Sequence, residues 1–554
     1  MKKCLALCVC LILFSFVLIP QSKVYSQRRD TRQLYADDSI VVKLKAEAEP
    51  TSDADLLAEE IVRAPGVKAE ALTTRLHSGI QLIHLNRSIS VEDAVRRAKE
   101  DPRVEYAEPD YFVYATETVP DDPFFNQMWG LSNLSCQSCN PGNVPSIDAT
   151  QAWDITTGSD DIVAVVLDTG VDLQHEDLAA NAWVNPREIA DNGVDDDGNG
   201  FVDDINGWNF VDGNNKTFKS PSEDLHGTHV AGSIGAVGNN GKGVTGVAWH
   251  VKIMSLKFLG GTQGKGSTSN AVRGINYAID MRNRGVNVRV INASWGGGSD
   301  SQALRQAIAD ANNAGILFVC AAGNGDSFGG INIDDTPDFP ASYAPDFPNA
   351  ISVAAVDASG GLASFSNVGH RSVSLAAPGV FIYSTIPGSY GQLSGTSMST
   401  PYVSGIAVLL WSHEPSLTPA QVKQRIVDTS EPLPSLVSLV TRSGRASAFD
   451  ALTNRIAPPQ TPAVLGVKFA KRAVTINGFG FVDGSAIIEV DGTPLPTVSY
   501  DSSFALANGT LTQLTVDLGK KPLKRTFPAG VQVSVDVFNP TTGERSPRFT
   551  TARF

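Results

Sequence analysis

An aspartate, a histidine and a serine occur in three separate motifs of this 554-residue chain, and side chains of these types can together perform nucleophilic catalysis. Asp168 ends the apolar run IVAVVLD, His226 lies in LHGTHVAG, and Ser397 lies in SGTSMSTP. A serine hydroxyl becomes an effective nucleophile when an imidazole removes its proton, and a buried carboxylate holds that imidazole in the required tautomer. The pattern therefore predicts that Ser397 attacks, His226 transfers the proton and Asp168 orients His226.

The segments around these residues predict how the fold positions them. Asp168 follows an apolar strand, at the carboxyl end where open α/β sheets keep their sites. His226 immediately precedes a predicted helix of small residues. Ser397 immediately precedes a predicted apolar helix with Pro401 in its first turn, where proline is tolerated. The N-terminus of that helix would place its dipole and backbone N–H groups where an oxyanion forms.

Each of these motifs has another explanation when it is taken singly. Asp168 fits a turn and Ser397 fits a helix N-cap. His226 and His229 form an H-x-x-H pair that fits a metal site, although the HExxH spacing is absent. Together and in this order, DTGVD, HGTHVAG and GTSMSTP resemble the motifs of the subtilisin-like serine peptidases, the subtilases. The resemblance covers residues 120–455 and implies a broadly specific endopeptidase that acts through an acyl-enzyme.

The resemblance to subtilases also implies an oxyanion donor and a mode of maturation. Asn324, in CAAGNGD, matches the family's side-chain donor to the oxyanion, with the N–H of Ser397 as the second donor. The segment before residue 119 resembles the inhibitor-type propeptide of the family, which implies a self-processed zymogen inhibited by its own propeptide. The alternative from another class is a non-catalytic surface or adhesive protein on the same scaffold. It is disfavoured because all four catalytic positions are intact.

The resemblance further implies where a polypeptide substrate binds. An extended substrate would add an antiparallel strand between two backbone segments, and a third segment would wall the pocket for the residue before the cut. These positions are Gly264, Gly266, Ser294, Trp295, Gly296, Ala322 and Gly323. Asp338 aligns with the floor of that pocket, where a carboxylate would favour Lys or Arg. The next peptide bond, Phe339-Pro340, aligns with one that is often cis in the family. The propeptide tail FVYATETVP offers no basic residue, so the preference must be mild or Asp338 must point elsewhere.

Two acidic segments predict structural calcium. The segment DDDGNGFVDD resembles an EF-hand loop with Gly200 at its sharp turn, but Asn206 stands at position 12, so the bidentate ligand is missing unless Asp204 substitutes. Asp177 in HEDL and Asn240 in GNNGKGV resemble the tight calcium site of the family. The alternative for the first segment is a solvated acidic loop. The predicted ligand positions of the EF-hand-like segment are Asp195, Asp197, Asn199, Phe201, Asp203 and Asp204.

The N-terminus and the overall charge bear on the compartment and the partners. Two lysines, an apolar run and a small-residue cleavage site are typical of a secretory signal peptide, which predicts a secreted protein. The alternatives are an uncleaved anchor, for which the run is short, and a lipoprotein, for which Leu7 stands where a small residue is wanted. The formal charge of −14 disfavours nucleic acid and anionic lipid as partners. We expect a monomer without a stable membrane anchor.

Three cysteines follow the predicted signal peptide, too few for a disulfide framework. Cys136 and Cys139 are close enough in sequence to close a small loop, whereas a zinc site would need two more ligands that are not evident nearby. Cys320 lies in the apolar run GILFVCAAGN and is expected to be a buried hydrophobic residue.

The pattern of apolar residues predicts three folded parts. Strand, helix, strand, strand, helix and strand follow one another up to about residue 115, as in a ferredoxin-like domain. Buried strands then alternate with amphipathic helices, which predicts a doubly wound parallel α/β domain. After the Pro-rich RIAPPQTPA helical patterns vanish, and short strands predict a β-sandwich that resembles the Ig-like IPT/TIG modules. The predicted boundaries are 1–26 for the signal peptide, 27–118 for the propeptide, 119–455 for the peptidase domain, 456–463 for a linker and 464–554 for the sandwich.

Overall fold

The computed structural model divides the chain into two compact units, Met1–Thr116 and Glu117–Phe554. The predicted signal peptide and the pair Cys136 and Cys139 lie outside the described residues. Within the described part of the chain, no helix is both long and apolar enough to cross a membrane. The structure describes residues 35–46, 57–58, 60–61, 73–77, 79–85, 89–111, 117–135, 144–457, 462–496, 498–501, 504–506 and 508–553.

The first unit contains a four-stranded antiparallel sheet with a helix packed against it. Ser90 caps this helix by accepting a hydrogen bond from the N–H of Asp93. The elements are β1 (Tyr35–Leu44), β2 (Thr73–His77), β3 (Ile80–His84), α1 (Val91–Glu100) and β4 (Val104–Tyr111), and residues 57–58 and 60–61 are helical. The strand order β2-β3-β1-β4 confirms the predicted ferredoxin-like arrangement.

The second unit is built around a nine-stranded sheet. Its strands are β5 (Gly158–Asp168), β6 (Gly207–Asn209), β7 (His250–Lys257), β8 (Val288–Ala293), β9 (Leu317–Ala321), β10 (Ala350–Val356), β11 (Leu375–Pro378), β14 (Glu431–Pro432) and β15 (Gly444–Arg445), while β12 (Ile382–Ile386) and β13 (Ser389–Leu393) form a separate hairpin. The order is β14-β15-β11-β10-β9-β8-β5-β7-β6, and only β14 with β15 is antiparallel. Six of these strands, β5 and β7 to β11, contain the apolar runs IVAVVLD, VKIMSLKFL, VRVINASWG, GILFVCAAGN, AISVAAV and SVSLAAPG, which the sequence predicts as buried parallel strands.

Helices cover both faces of this sheet, as the doubly wound prediction requires. They are α2 (Ala149–Trp153), α3 (Leu225–Gly235), α4 (Thr268–Asn283), α5 (Gln302–Asn313), α6 (Thr396–His413), α7 (Pro419–Asp428) and α8 (Ala448–Thr453), with short 3₁₀ turns at Phe125–Gln127, Asn133–Ser135, Ala179–Asn181, Ala341–Tyr343 and Pro434–Leu436. One core joins α3 and α6 to one face of the sheet, and a second core joins α4 and α5 to the other. Every residue of β9 and β10 is buried. This burial on both faces explains why apolar and polar residues do not alternate along these two strands.

The C-terminal part of the second unit consists of two sheets packed around a shared core. The first has the order β16 (Ala463–Phe469), β17 (Ala473–Val482), β21 (Thr510–Asp517), β20 (Ser499–Tyr500), and the second contains β18 (Ile487–Val490), β19 (Thr493–Pro494), β22 (Gln532–Asn539), β23 (Glu544–Arg545) and β24 (Phe549–Ala552). This is the predicted β-sandwich, and its likeness to Ig-type modules stays a prediction. The expectation that helices are absent was wrong, because α9 (Lys520–Thr526) buries Leu523 in the sandwich core.

Candidate active site

Asp168 and His226 are hydrogen-bonded at the carboxyl end of the central strand. Asp168 is the last residue of β5 and is fully buried. The Nδ1 of His226 lies 2.8 Å from its Oδ1, which also accepts a hydrogen bond of 2.7 Å from the N–H of Thr169. The imidazole lies in the first turn of α3, with its side chain 31% exposed. A buried carboxylate therefore holds Nδ1 and leaves the opposite nitrogen of the ring free to exchange a proton.

The charge of Asp168 sets the protonation behaviour of His226. Desolvation by burial lowers the pKa of His226, whereas the negative charge and the hydrogen bond of Asp168 raise it, and the balance places the pKa above the ordinary value. The neutral imidazole is the form that can accept a proton. The imidazole of His226 can therefore accept a proton above its raised pKa, and it loses that capacity as the pH falls through this value.

Ser397 lies in the first turn of α6, which packs across β5, β8, β9 and β10. Its hydroxyl donates a hydrogen bond of 3.0 Å to the carbonyl of Ser294, which follows the end of β8. The hydroxyl is thus directed to the wall of the cleft and not to His226. This arrangement is compatible with catalysis, since catalytic hydrogen bonds in substrate-free enzymes often tighten only when substrate binds.

Both helices begin earlier than the sequence predicted, so His226 and Ser397 lie inside α3 and α6 rather than before them. Pro401 consequently lies in the second turn of α6, and its placement in the first turn was wrong. A proline there donates no hydrogen bond to the carbonyl four residues earlier, which belongs to Ser397. The hydroxyl of Ser294 donates to that carbonyl at 2.8 Å instead. The proline is tolerated because the side chain of Ser294, just after β8, replaces the missing donor.

Asn324 lies beside the N-terminus of α6, with its amide fixed by the helix. Its Oδ1 accepts hydrogen bonds of 2.9 Å from both the N–H and the hydroxyl of Thr396. The Nδ2 of Asn324 and the backbone N of Ser397 lie 3.4 Å and 3.7 Å from the point where a Cβ would stand on Gly395. Two N–H donors therefore border a space that the glycine leaves open. An oxyanion in this space would receive hydrogen bonds from both.

Two cavities adjoin this constellation and contain most of the predicted substrate-binding positions. A cavity of about 440 Å³ is lined by His226, Gly264, Ser294, Trp295 and Gly296, among others. A second cavity, of about 410 Å³, continues along Gly264, Trp295 and Gly296 and adds Gly266. The structure thus brings together the two predicted backbone segments. Ala322 and Gly323 follow β9 and line neither cavity, and the N–H of Gly323 donates to the hydroxyl of Thr396.

Asp338 points between the two backbone segments that wall the predicted pocket. Its Oδ2 occupies the place beside Gly323 where a Cβ would stand, and its Oδ1 lies 3.5 Å from the corresponding point on Gly296. The Nδ2 of Asn367 lies 3.2 Å from Oδ2. Burial raises the pKa of Asp338 above the ordinary value. The following peptide bond, Phe339-Pro340, is cis, as the resemblance implied.

The acidic loop gathers only part of the predicted ligand set. Carboxylate oxygens of Asp197 and Asp204 lie within 4.8 Å of one another and of Glu188, a residue that the sequence did not single out. Asp195 and Asp203 instead accept hydrogen bonds from backbone N–H groups of the loop. The side chain of Asn199 donates to Asp204, and Phe201 packs against Trp208, Phe210 and Tyr277. Glu188 precedes the loop at no recognisable spacing, which is why the sequence did not reveal it.

Burial makes the ionised form of Asp204 less favourable. Desolvation raises the pKa of its carboxyl group to about 6, although Tyr277, Asn199 and Asn185 all donate hydrogen bonds to it. The group is therefore mostly ionised at neutral pH, close to the negative charges of Asp197 and Glu188. A cation would relieve this repulsion, so the oxygen-rich donor set fits a hard divalent ion.

The second predicted calcium position contains a carboxylate that the sequence did not indicate. Asp177 is fully buried and accepts hydrogen bonds from the Nδ2 of Asn240 at 3.0 Å and from the N–H of Val244 at 2.9 Å. Asp122 accepts from the N–H groups of Asn239 and Asn240 on the same loop. Its pKa is raised to about 6 by desolvation, with the charge of Asp177 contributing. Asp122 lies far from Asp177 in sequence, so no spacing pattern connects them.

The remaining singled-out residues have structural roles. The Nε2 of the buried His229 bonds to the carbonyl of Ile382 at 2.9 Å, and burial lowers the pKa of this imidazole to about 4. Among the described residues, His226 and His229 belong to no group of possible metal ligands, and each forms its own hydrogen bond, to Asp168 and to Ile382 respectively. Cys320 is fully buried and its pKa is raised by desolvation, as expected for a hydrophobic core residue.

Comparisons with known proteins agree with this arrangement. The model described as the Subtilase family matches residues 159–460, and the model described as the Fervidolysin N-terminal prodomain matches residues 22–110. The "Extracellular protease" of Xanthomonas campestris pv. campestris is 31% identical over 478 residues, covering 82% of this chain and 76% of that protein. The "Thermophilic serine proteinase" of Bacillus sp. (strain AK1) is 32% identical, covering 76% and 88%, and "Thermitase" of Thermoactinomyces vulgaris is 35% identical, covering 60% and 99%. The chain belongs to the subtilase family, and it is a serine endopeptidase with an N-terminal prodomain.

Proposed function

We propose that Asp168, His226, Ser397 and Asn324 carry out the peptidase reaction of this chain. Ser397 attacks the carbonyl carbon of the scissile bond while His226 accepts its proton, and Asp168 stabilises the imidazolium that forms. Asn324 Nδ2 and the N–H of Ser397 stabilise the oxyanion. His226 then protonates the leaving amine, and a water molecule hydrolyses the acyl-enzyme in the second half of the reaction. The observation that carries this proposal is the 2.8 Å hydrogen bond between His226 and the buried Asp168 beside an open cleft.

The substrate of this reaction is an extended polypeptide segment. It pairs with the backbone at Gly264 to Gly266 and at Ser294 to Gly296, which border the two adjoining cavities. Ala322 and Gly323 wall the pocket for the side chain before the cut. The carboxylate of Asp338 at that pocket gives a mild preference for Lys or Arg.

Structural calcium is the ion that the carboxylate clusters would hold. Subtilases generally bind structural calcium, and the chain carries the cluster of Glu188, Asp197 and Asp204. We place one ion at this cluster and a second one at Asp177 and Asn240, with Asp122 as an added ligand. Bound calcium would neutralise carboxylates that otherwise repel one another, so these residues serve stability and not the chemical step.

The enzyme is made as a zymogen and exported. The prodomain, with its predicted boundary near residue 118, acts as an intramolecular inhibitor until the chain cleaves itself. The name "Extracellular protease" of one relative supports secretion, together with the signal-like N-terminus. The peptidase domain ends near residue 455, and the sandwich from residue 464 onward is an accessory module of a monomeric enzyme.

Ser397→Ala tests the catalytic assignment. Removing the nucleophile should abolish peptide hydrolysis, prevent labelling by a serine-directed fluorophosphonate and leave the precursor unprocessed. Ser412→Ala is the matched control, because Ser412 lies on the same helix and donates only to the carbonyl of Val408. Hydrolysis by the Ser397→Ala protein would refute its role as nucleophile. Normal processing of that variant in isolation would refute intramolecular maturation.

A further inference from the structure

A fully buried ion pair contacts the segments next to Asp168 and His226. Lys257, the last residue of β7, and Asp224, the N-cap of α3, are both inaccessible to solvent. The Nζ of Lys257 lies 2.6 Å from Oδ1 of Asp224. Lysine and aspartate are rarely buried completely, and a buried pair is often no more stabilising than apolar residues of similar size. Stability alone therefore does not explain why charged groups occupy this place.

The ammonium group of Lys257 connects the segments on both sides of the catalytic hydrogen bond. Besides Asp224, it donates to the carbonyl of Thr169 and, at 3.1 Å, to that of Leu259. Thr169 is the residue after Asp168, and Asp224 lies two residues before His226. The three donors of the ammonium are thus all used, and two of them hold the segments that carry the two catalytic side chains.

Asp224 in turn fixes the start of the helix that carries His226. Its Oδ2 accepts hydrogen bonds from the N–H groups of Lys219 and Ser220, which fasten the loop before the helix. Its backbone carbonyl accepts from the N–H and the hydroxyl of Thr228, one turn further on. The carboxylate and the carbonyl of one residue therefore hold both ends of the segment that contains His226.

We propose that Lys257 and Asp224 are positioning residues that set the distance between Asp168 and His226, and this inference rests on the proposed catalytic role of those two residues. A general base must be held closely at its productive geometry, and a displacement of about 1 Å can cost about 100-fold in rate. Without the ammonium, Oδ1 of Asp224 and the carbonyl oxygen of Thr169 would each lose a buried hydrogen-bond donor. The chain would relax to hydrate them, and that relaxation would move His226.

Lys257→Met tests the proposal, because methionine keeps an unbranched apolar side chain and removes the charge. Lys252→Met is the matched control, since Lys252 lies on the same strand and binds only the carbonyl of Ala180 and the exposed Asp160. Turnover is measured per active site, titrated with a fluorophosphonate, so that unfolded enzyme is not counted. We expect kcat to fall about 10- to 100-fold in Lys257→Met with KM little changed. A kcat equal to that of Lys252→Met would overturn the proposal.

A double variant separates positioning from stability. Lys257→Met/Asp224→Asn removes the uncompensated charge, so it should regain much of the melting temperature that Lys257→Met loses. Positioning predicts that kcat stays low in this double variant, whereas a purely structural role predicts that kcat recovers with stability. The double variant also provides the test if Lys257→Met alone fails to fold.

A spectroscopic measurement avoids any dependence on maturation. In the full-length Ser397→Ala precursor, we expect the proton in the 2.8 Å hydrogen bond between His226 and Asp168 to give a low-field NMR resonance. Adding Lys257→Met should shift or broaden that resonance, and an unchanged resonance would contradict the proposal. A failure of the proposed function would give a different result. The Ser397→Ala protein would then hydrolyse peptides both with Lys257 and with Met at position 257.

Discussion

The carboxylate of Asp338 should control the preference for basic residues before the scissile bond. Its two oxygens face Gly296 and Gly323, at the wall of the proposed pocket. Burial raises its pKa, which shows that the charge is partly removed from water. Asp338→Asn removes the charge and keeps the shape of the side chain. This substitution therefore isolates the electrostatic contribution to the choice of substrate.

The size of the effect follows from the surroundings of Asp338. Two unit charges about 4 Å apart attract with about 4 kcal/mol at an effective dielectric constant of about 20. Much of this attraction offsets the desolvation of the substrate's ammonium group, and a hydrogen bond between charged groups contributes about 1.5 to 3 kcal/mol net. Asn367 already donates a hydrogen bond to the carboxylate, and the nearby backbone N–H groups of Gly297 and Phe339 offset part of the rise in its pKa. We therefore expect the lower end of this range, which is about tenfold in kcat/KM.

The assay compares two peptides that differ only in Lys or Met before the scissile bond. The ratio of their kcat/KM values cancels the titration of His226, which affects both peptides equally. This ratio should fall about tenfold in Asp338→Asn at pH 8. In the native enzyme it should fall as the pH is lowered through the raised pKa of Asp338, sooner than an ordinary carboxyl group would allow. In the variant it should not change with pH over that range.

Two results would refute this reasoning. If the ratio for Lys over Met is the same in the native enzyme and in Asp338→Asn, the carboxylate does not contact the substrate. If the ratio changes but keeps its dependence on pH in the variant, another titrating group determines the preference. A general loss of activity with an unchanged ratio would indicate damage to the pocket and would not support the electrostatic explanation.

Three further predictions concern the oxyanion site, calcium and the C-terminal module. Asn324→Ala should lower kcat about 10²- to 10³-fold on a small peptide, because one oxyanion donor is lost, and near-normal turnover would exclude Asn324 from the site. A calcium chelator should lower the melting temperature and speed self-cleavage at pH 8, and an unchanged melting temperature would count against both calcium positions. Truncation after residue 455 should preserve hydrolysis of small peptides but lower the melting temperature, since Val437 packs against Phe479 and His370 stacks on Phe504 of the module. Loss of peptide hydrolysis in a truncated protein that is still folded would contradict this.

The parallel sheet was predictable because its strands have an unusual composition. Strands buried on both faces are continuous apolar runs, and in β9 and β10 every residue is buried. The proposed catalytic residues could be singled out from the sequence because each lies in a short motif with its own local constraint. The start of α6 was harder to predict, since Pro401 suggested a first turn. Only the distant hydroxyl of Ser294 shows why proline is accepted one turn later.

The carboxylates that complete the candidate metal positions were not predictable for a different reason. Glu188 and Asp122 come close to the predicted ligands through the folding of loops, and neither shares a spacing pattern with them. A motif records only residues that are near one another in sequence. Ligands supplied from a separate segment become visible only when the tertiary structure is known.

The alignment of neighbouring strands explains why polar side chains lie close to Asp168. Asp168 at the end of β5 pairs with Lys257 at the end of β7, and Asn292 near the end of β8 pairs with Val166 of β5. The polar residues Lys257 and Asn292 therefore reach the same edge of the sheet as the carboxylate of Asp168. A lysine inside the apolar run VKIMSLKFL conflicts with burial unless a specific partner awaits it. The ion pair with Asp224, two residues before His226, resolves that conflict. A lysine within an apolar strand run is therefore the sequence feature that could have drawn attention to Lys257.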